Sequence, residues 1–113
     1  MKVNVSEHFE DRNVISKLKV LCFQNGFEIV EAPVDADVWI VQSRYQVFDA
    51  LNMGKSVIQF IWNDSIQSAE ELAYFERFKD RIFVCRNDGA PYGGTGSVLF
   101  ALYQIQGASN AKN

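Results

Sequence analysis

Two apolar runs set the limits on this chain. Val38-Trp39-Ile40-Val41 has no polar residue, and Val57-Ile58-Gln59-Phe60-Ile61-Trp62 has only one. A strand that is apolar on both sides must be covered on both sides, which calls for helices above and below a largely parallel sheet. Each run leads to a helix start. Ser43 with Gln46 three residues on, and Ser68 with Glu71 three residues on, have the capping-box pattern, in which the Ser oxygen takes a backbone N–H and the longer side chain reaches back.

The rest of the chain follows the same alternation. Lys2 to Ser6 reads as a first strand. Val14, Ile15, Leu18, Leu21 and Cys22 fall on one face of a helix from about Asp11 to Asn25, and Gly26 supplies the left-handed residue that ends it. Phe27 to Ala32 reads as the second strand. Val47, Phe48 and Leu51 give the helix after Ser43 its buried face, up to Gly54, and Leu72, Phe75 and Phe78 do the same for the helix after Ser68. Ile82 to Cys85 is the last strand. A Gly-rich segment, Asp88 to Gly96, leads into a final helix, Ser97 to Gln106, which Gly107 closes. Residues 1–107 then form a single α/β domain, and 108–113 a mobile polar tail.

Strands alternating with helices give a three-layer αβα domain, and right-handed crossovers leave few topologies. The expected one is a flavodoxin-like or Rossmann-like, mostly parallel five-stranded sheet in the order 2-1-3-4-5. One joint departs from that plan. Only Pro33 to Asp37 separate the second and third strands, whereas a parallel crossover normally takes about a dozen residues or more. Fully extended, that stretch spans at most roughly 18 Å. The second helix is therefore missing: an extended segment is expected to cross in its place, the alternative being that strand two is a short, antiparallel or poorly paired edge.

Composition narrows the partners. With 48% hydrophobic and 13% aromatic residues, the 113-residue chain can bury a core unaided. Eleven Lys and Arg against 14 Asp and Glu leave a net charge of −3 and a pI near 5.0, and the basic residues are scattered. Nucleic acid is not an expected partner. No apolar run is long enough to span a membrane, and Met1-Lys2-Val3-Asn4 turns polar too early for a signal peptide, so a cytoplasmic protein is expected. Cys22 and Cys85 lack metal-ligand spacing and read as buried thiols, so no metal or cofactor is expected.

In open α/β sheets, ligands bind beyond the carboxyl ends of the strands. Here those ends carry Ser6, Glu7 and His8; Gln42, Ser43 and Arg44; Asn63 and Asp64; and Arg86, Asn87 and Asp88. The Gly-rich segment Gly89-Ala90-Pro91-Tyr92-Gly93-Gly94-Thr95-Gly96-Ser97 could bring backbone N–H groups, a helix dipole and hydroxyls to an anion. It is neither a Walker loop nor a dinucleotide fingerprint. The expected ligand-binding set is Arg44, Arg86, Asn87, Gly93, Gly94, Thr95, Gly96 and Ser97. His8, the one histidine, and Asp88 are the candidates for acid–base work. Glu7, Glu10 and Asp11 could hold a divalent cation or place charge at a helix N-terminus. Trp39, Trp62 and Tyr92 could stack on a base or sugar.

The last helix is apolar nearly all round, so one side of it needs a second partner. Leu99, Phe100 and Tyr103 are the expected homodimer contact.

In strand order and size the chain resembles the response-regulator receiver domain. That family implies acids after strand one, an acceptor Asp ending strand three, a hydroxyl ending strand four and a Lys ending strand five. Glu7 matches the first, but Gln42 or Ser43, Trp62 or Asn63, and Arg86 stand at the others, so the resemblance implies a pseudo-receiver working through contacts. A shorter stretch, Ala36 to Val41 and then Tyr45 to Ile58 with Gly54-Lys55-Ser56-Val57-Ile58, looks like part of the nucleoside deoxyribosyltransferase-like and TIR-like folds. Gln46 stands where those enzymes place a catalytic Glu, and an amide cannot replace it.

The sequence thus points first to a small α/β module that binds an anionic small molecule, such as a nucleotide or phosphorylated metabolite, and self-associates. The alternatives are a protein-interaction domain of the pseudo-receiver kind and a small hydrolase or glycosyl-transfer enzyme. Binding ranks above catalysis because the length leaves no residues for a lid.

Overall fold

The fold, taken from a computed structural model, is described over residues 1–87 and 94–111. Five strands, β1 (Lys2–Val5), β2 (Glu28–Ile29), β3 (Val38–Val41), β4 (Ser56–Trp62) and β5 (Ile82–Asn87), form one sheet in the order β2-β1-β3-β4-β5. Every pairing is parallel. Four helices, α1 (Arg12–Gln24), α2 (Arg44–Asn52), α3 (Ala69–Arg77) and α4 (Thr95–Ala111), complete a three-layer flavodoxin-like α/β fold.

The central runs are covered as their composition demands. All four residues of β3 are buried, and so are five of the seven in β4. On one side, Val3, Ile40 and Ile58 pack with Leu18 of α1 and Leu102 of α4. On the other, Val41 and Val57 pack with Val47 and Leu51 of α2, and Tyr74 and Phe75 of α3 lean against that cluster.

The crossing from β2 to β3 has no α-helix. A single 3-10 turn, Pro33–Asp35, sits on the side of α2 and α3, and Trp39 fills the space beneath. Its indole N–H donates to the Pro33 carbonyl at 2.8 Å, so the largest side chain of β3 fastens the segment that replaces a helix. Trp39 is buried and does not stand ready to stack on a ligand. Strand two is shorter than Phe27 to Ala32. After Ile29 the chain turns away, and the buried Asn4 amide takes over its carbonyls, donating to Val30 at 2.9 Å and Glu31 at 3.1 Å.

Three helix details differ from the sequence expectation. Ser43 caps α2 by accepting the Tyr45 N–H, but Gln46 does not close the box, because its side chain accepts from Ser6 of the neighbouring β-α turn instead. The Ser68–Glu71 box is complete. Glu71 also points inward to Gln59, which turns α3 so that Tyr74, Phe75 and Phe78 face the sheet and Leu72 is left exposed. Gly107 does not end α4: the helix runs through it to Ala111, and an ideal Cβ there would meet nothing within 4 Å. Among the described residues, no helix is long and apolar enough to cross a membrane.

Candidate functional site

At the carboxyl edge, the turn after β1 is stitched to the turn after β3. The Ser6 hydroxyl donates to Gln46 Oε1 at 2.7 Å and accepts the His8 N–H at 3.0 Å. Gln42 Oε1 accepts the Glu10 N–H at 2.8 Å. These bonds span the point where the strand order reverses, the usual ligand crevice of such sheets. The open space lies one strand further over, in a cleft of about 380 Å³ between residues 42–45 and 62–67.

The floor of that cleft is a buried polar network. Gln59, 2% exposed, donates from Nε2 to the Gln42 carbonyl at 3.1 Å and to Glu71 Oε2 at 3.0 Å, and its Oε1 accepts from Gln67 at 3.3 Å. Glu71 Oε1 accepts the Ser68 N–H at 2.9 Å. Both amide hydrogens and both carboxylate oxygens therefore have partners, which fixes the floor. Composition reasoning passed over this group. The signal was present in Gln59, the single polar residue inside an otherwise apolar strand, which had to find partners in the interior.

The rim is mixed. Arg44 and Tyr45 open α2, with the Arg44 guanidinium 5.0 Å from the Tyr45 ring centre and its Nη2 donating to the Tyr45 hydroxyl at 3.1 Å. That hydroxyl holds the guanidinium above its ordinary pKa. Arg44 makes no ion pair among the described residues. Ile66, 95% exposed, stands on the loop opposite. His8 also lines the cleft, and its imidazole makes no hydrogen bond among the described residues.

The other expected residues lie elsewhere. Arg86 Nη1 donates to the carbonyls of Trp62 (3.3 Å), Asn63 (3.2 Å) and Ser65 (2.9 Å), fastening the loop that forms the far wall of the cleft. Asn87 borders a hollow of about 10 Å³ beside Phe9 and Gln42. Gly94 has φ +80°, and a Cβ on it would lie 2.5 Å from both the Arg86 carbonyl oxygen and the Phe60 ring. Thr95 begins α4, while Gly96 and Ser97 line a different groove, beside β5. Gly93, Asp88 and Tyr92 lie outside the described residues. The structure brings Arg44 and His8 to one cavity, and does not bring Gly96 and Ser97 to it.

Glu7 pairs with Lys19 at 2.9 Å, which holds its carboxyl below the usual range, and Asp11 caps α1 by accepting the Asn13 N–H. No group of three potential metal ligands occurs among the described residues. On α4, Leu99 packs against the core, whereas Phe100 and Tyr103 are 64% and 48% exposed. The Tyr103 hydroxyl lies 3.3 Å from Asn25 Oδ1, as its donor. No family model, curated protein or solved structure gives a significant match to this chain.

Proposed function

We propose that this chain is a binding module for a small anionic molecule, such as a nucleotide or phosphorylated metabolite, held in the cleft between residues 42–45 and 62–67. The supporting observation is Arg44. It is a cation that forms no ion pair among the described residues, with Glu70 and Glu71 acting on it only from further off, placed on the first turn of α2, where the helix dipole also favours negative charge. The cleft volume lies within the range of small-molecule sites, and its floor is held by its own hydrogen bonds. A ligand would therefore meet a prepared surface. His8 supplies an imidazole on the same rim, and no nucleophile paired with a base accompanies it among the described residues, which favours binding over catalysis.

The test is a thermal-shift titration with pyrophosphate and adenosine diphosphate. Stabilisation that rises with ligand concentration and is lost in Arg44→Ala is expected. The absence of any shift with either probe, or a shift unchanged in Arg44→Ala, would overturn the proposal.

Self-association is the second reading. It is supported by Phe100, an aromatic residue 64% exposed on the outer side of α4.

A further inference from the structure

The two edges of the sheet are unequal. β2 pairs over two residues, the first of them the exposed Glu28, and Glu31 follows just beyond its end, a short, charged edge of the kind that discourages strand addition. β5 runs for six residues along the opposite edge. The Val57 N–H donates to the Arg81 carbonyl and the Asn63 N–H to the Asn87 carbonyl, both at 2.8 Å, and the register sets Val57 beside Ile82 and Trp62 beside Asn87. Odd-numbered residues of β5 thus bond to β4, and even-numbered ones turn their N–H and C=O outward. At Arg86 the carbonyl packs against Gly94. At Ile82 and Val84 the outward groups have no hydrogen-bond partner among the described residues. Beside them lies a groove of about 310 Å³, lined by Phe83, Val84 and the exposed Phe100.

We infer that the β5 edge pairs with the β5 edge of a second copy of this chain, antiparallel and centred on Phe83. This deepens the self-association reading by naming the element that makes the contact. In that register Ile82 of each copy faces Val84 of the other, and four N–H···O=C bonds close the open groups. Phe83 meets Phe83 of the second copy on the α4 side, as an aromatic cross-strand pair. Arg86, whose Nη1 is held by the Trp62, Asn63 and Ser65 carbonyls but whose charge meets no acid in an ion pair among the described residues, comes opposite the second copy's Asp80, an exposed carboxylate likewise without an ion pair there.

That charge complementarity, together with the cover Gly94 gives the Arg86 carbonyl, selects this register over one centred on Val84. The Val84 register would use the Arg86 carbonyl and set Arg86 against Ile82. A twofold axis perpendicular to the sheet leaves both α4 helices on the same side of the seam, each with its Phe100 beside the joint.

Sedimentation equilibrium of the full chain is expected to show a dimer. Val84→Pro removes an outward N–H at a position where an edge strand tolerates proline, and should raise the dissociation constant about tenfold or more, since two hydrogen bonds are lost across the twofold axis. Phe83→Cys should form an interchain disulfide on oxidation while the wild-type chain does not, because directly opposed residues lie within disulfide reach.

A monomer at every concentration overturns both this inference and the self-association reading. A dimer that is weakened by Phe100→Glu, but indifferent to Val84→Pro and without a Phe83→Cys crosslink, overturns the edge pairing and leaves a helix contact standing. Crosslinking by Val84→Cys in place of Phe83→Cys overturns the register. If Val84→Pro does not fold, the Phe83→Cys crosslink decides the matter.

Discussion

Gln59 on β4 donates to Glu71 at the start of α3 over 3.0 Å, and the two residues are 2% and 6% exposed. This bond ties a central strand to the helix that shapes one end of the cleft. Gln59→Leu would leave a carboxylate oxygen and the Gln42 carbonyl buried without this donor. The expected loss is about 2–5 kcal/mol of stability, read as a lower urea midpoint at unchanged slope. A midpoint that stays in place would show that water replaces the amide.

Gly94 is expected to resist substitution more than Gly26. Both have φ +80°, but nothing lies within 4 Å of a Cβ at Gly26, whereas at Gly94 the Arg86 carbonyl and the Phe60 ring would be struck at 2.5 Å. Gly26→Ala should cost about 1 kcal/mol, and Gly94→Ala about 3 kcal/mol or more. Thermal unfolding of the two variants side by side checks the order.

Alkaline pH should weaken the fold through its thiols. Burial pushes both Cys22 and Cys85 from the ordinary 9.0 up to about 11. Below pH 9 the thiols are neutral in both states. Between about 9 and 11 the unfolded chain ionises and the folded one does not, so this contribution to stability is lost as pH rises. Denaturation midpoints measured across that window should fall more in the wild-type chain than in a Cys22→Ala, Cys85→Ala variant. The native thiols should also react slowly with a disulfide reagent until the chain is unfolded.

Trp39→Phe removes the N–H that holds the Pro33 carbonyl and leaves a void under the crossing. A loss of about 1–3 kcal/mol is expected, with faster amide exchange in residues 30–37. Exchange that quickens uniformly across the sheet would contradict a local role.

Much of the fold was legible because its signals were local. The apolar runs at 38–41 and 57–62, the caps at Ser43 and Ser68, and the short stretch from Pro33 to Asp37 led to the five strands, their order and the absent helix. What escaped depended on neighbours distant in sequence. Gln46 was drawn from its own cap to Ser6, forty positions away. Glu71 served its cap and Gln59 together, which turned Leu72 outward. Arg86 read as an anion binder, but one of its nitrogens holds three carbonyls at the end of β4 and in the loop that follows it. A long polar side chain has several possible partners within reach, and only the packed chain decides among them.

The 3-10 turn that stands in for a helix makes the two sides of the sheet unequal in endurance. One side is braced by α1 and α4, 13 and 17 residues long; the other has two nine-residue helices and that turn. Partial opening should therefore begin at β2 and the crossing, spread beneath α2 and α3, and leave the layer of α1 and α4 as the last cooperative unit to melt.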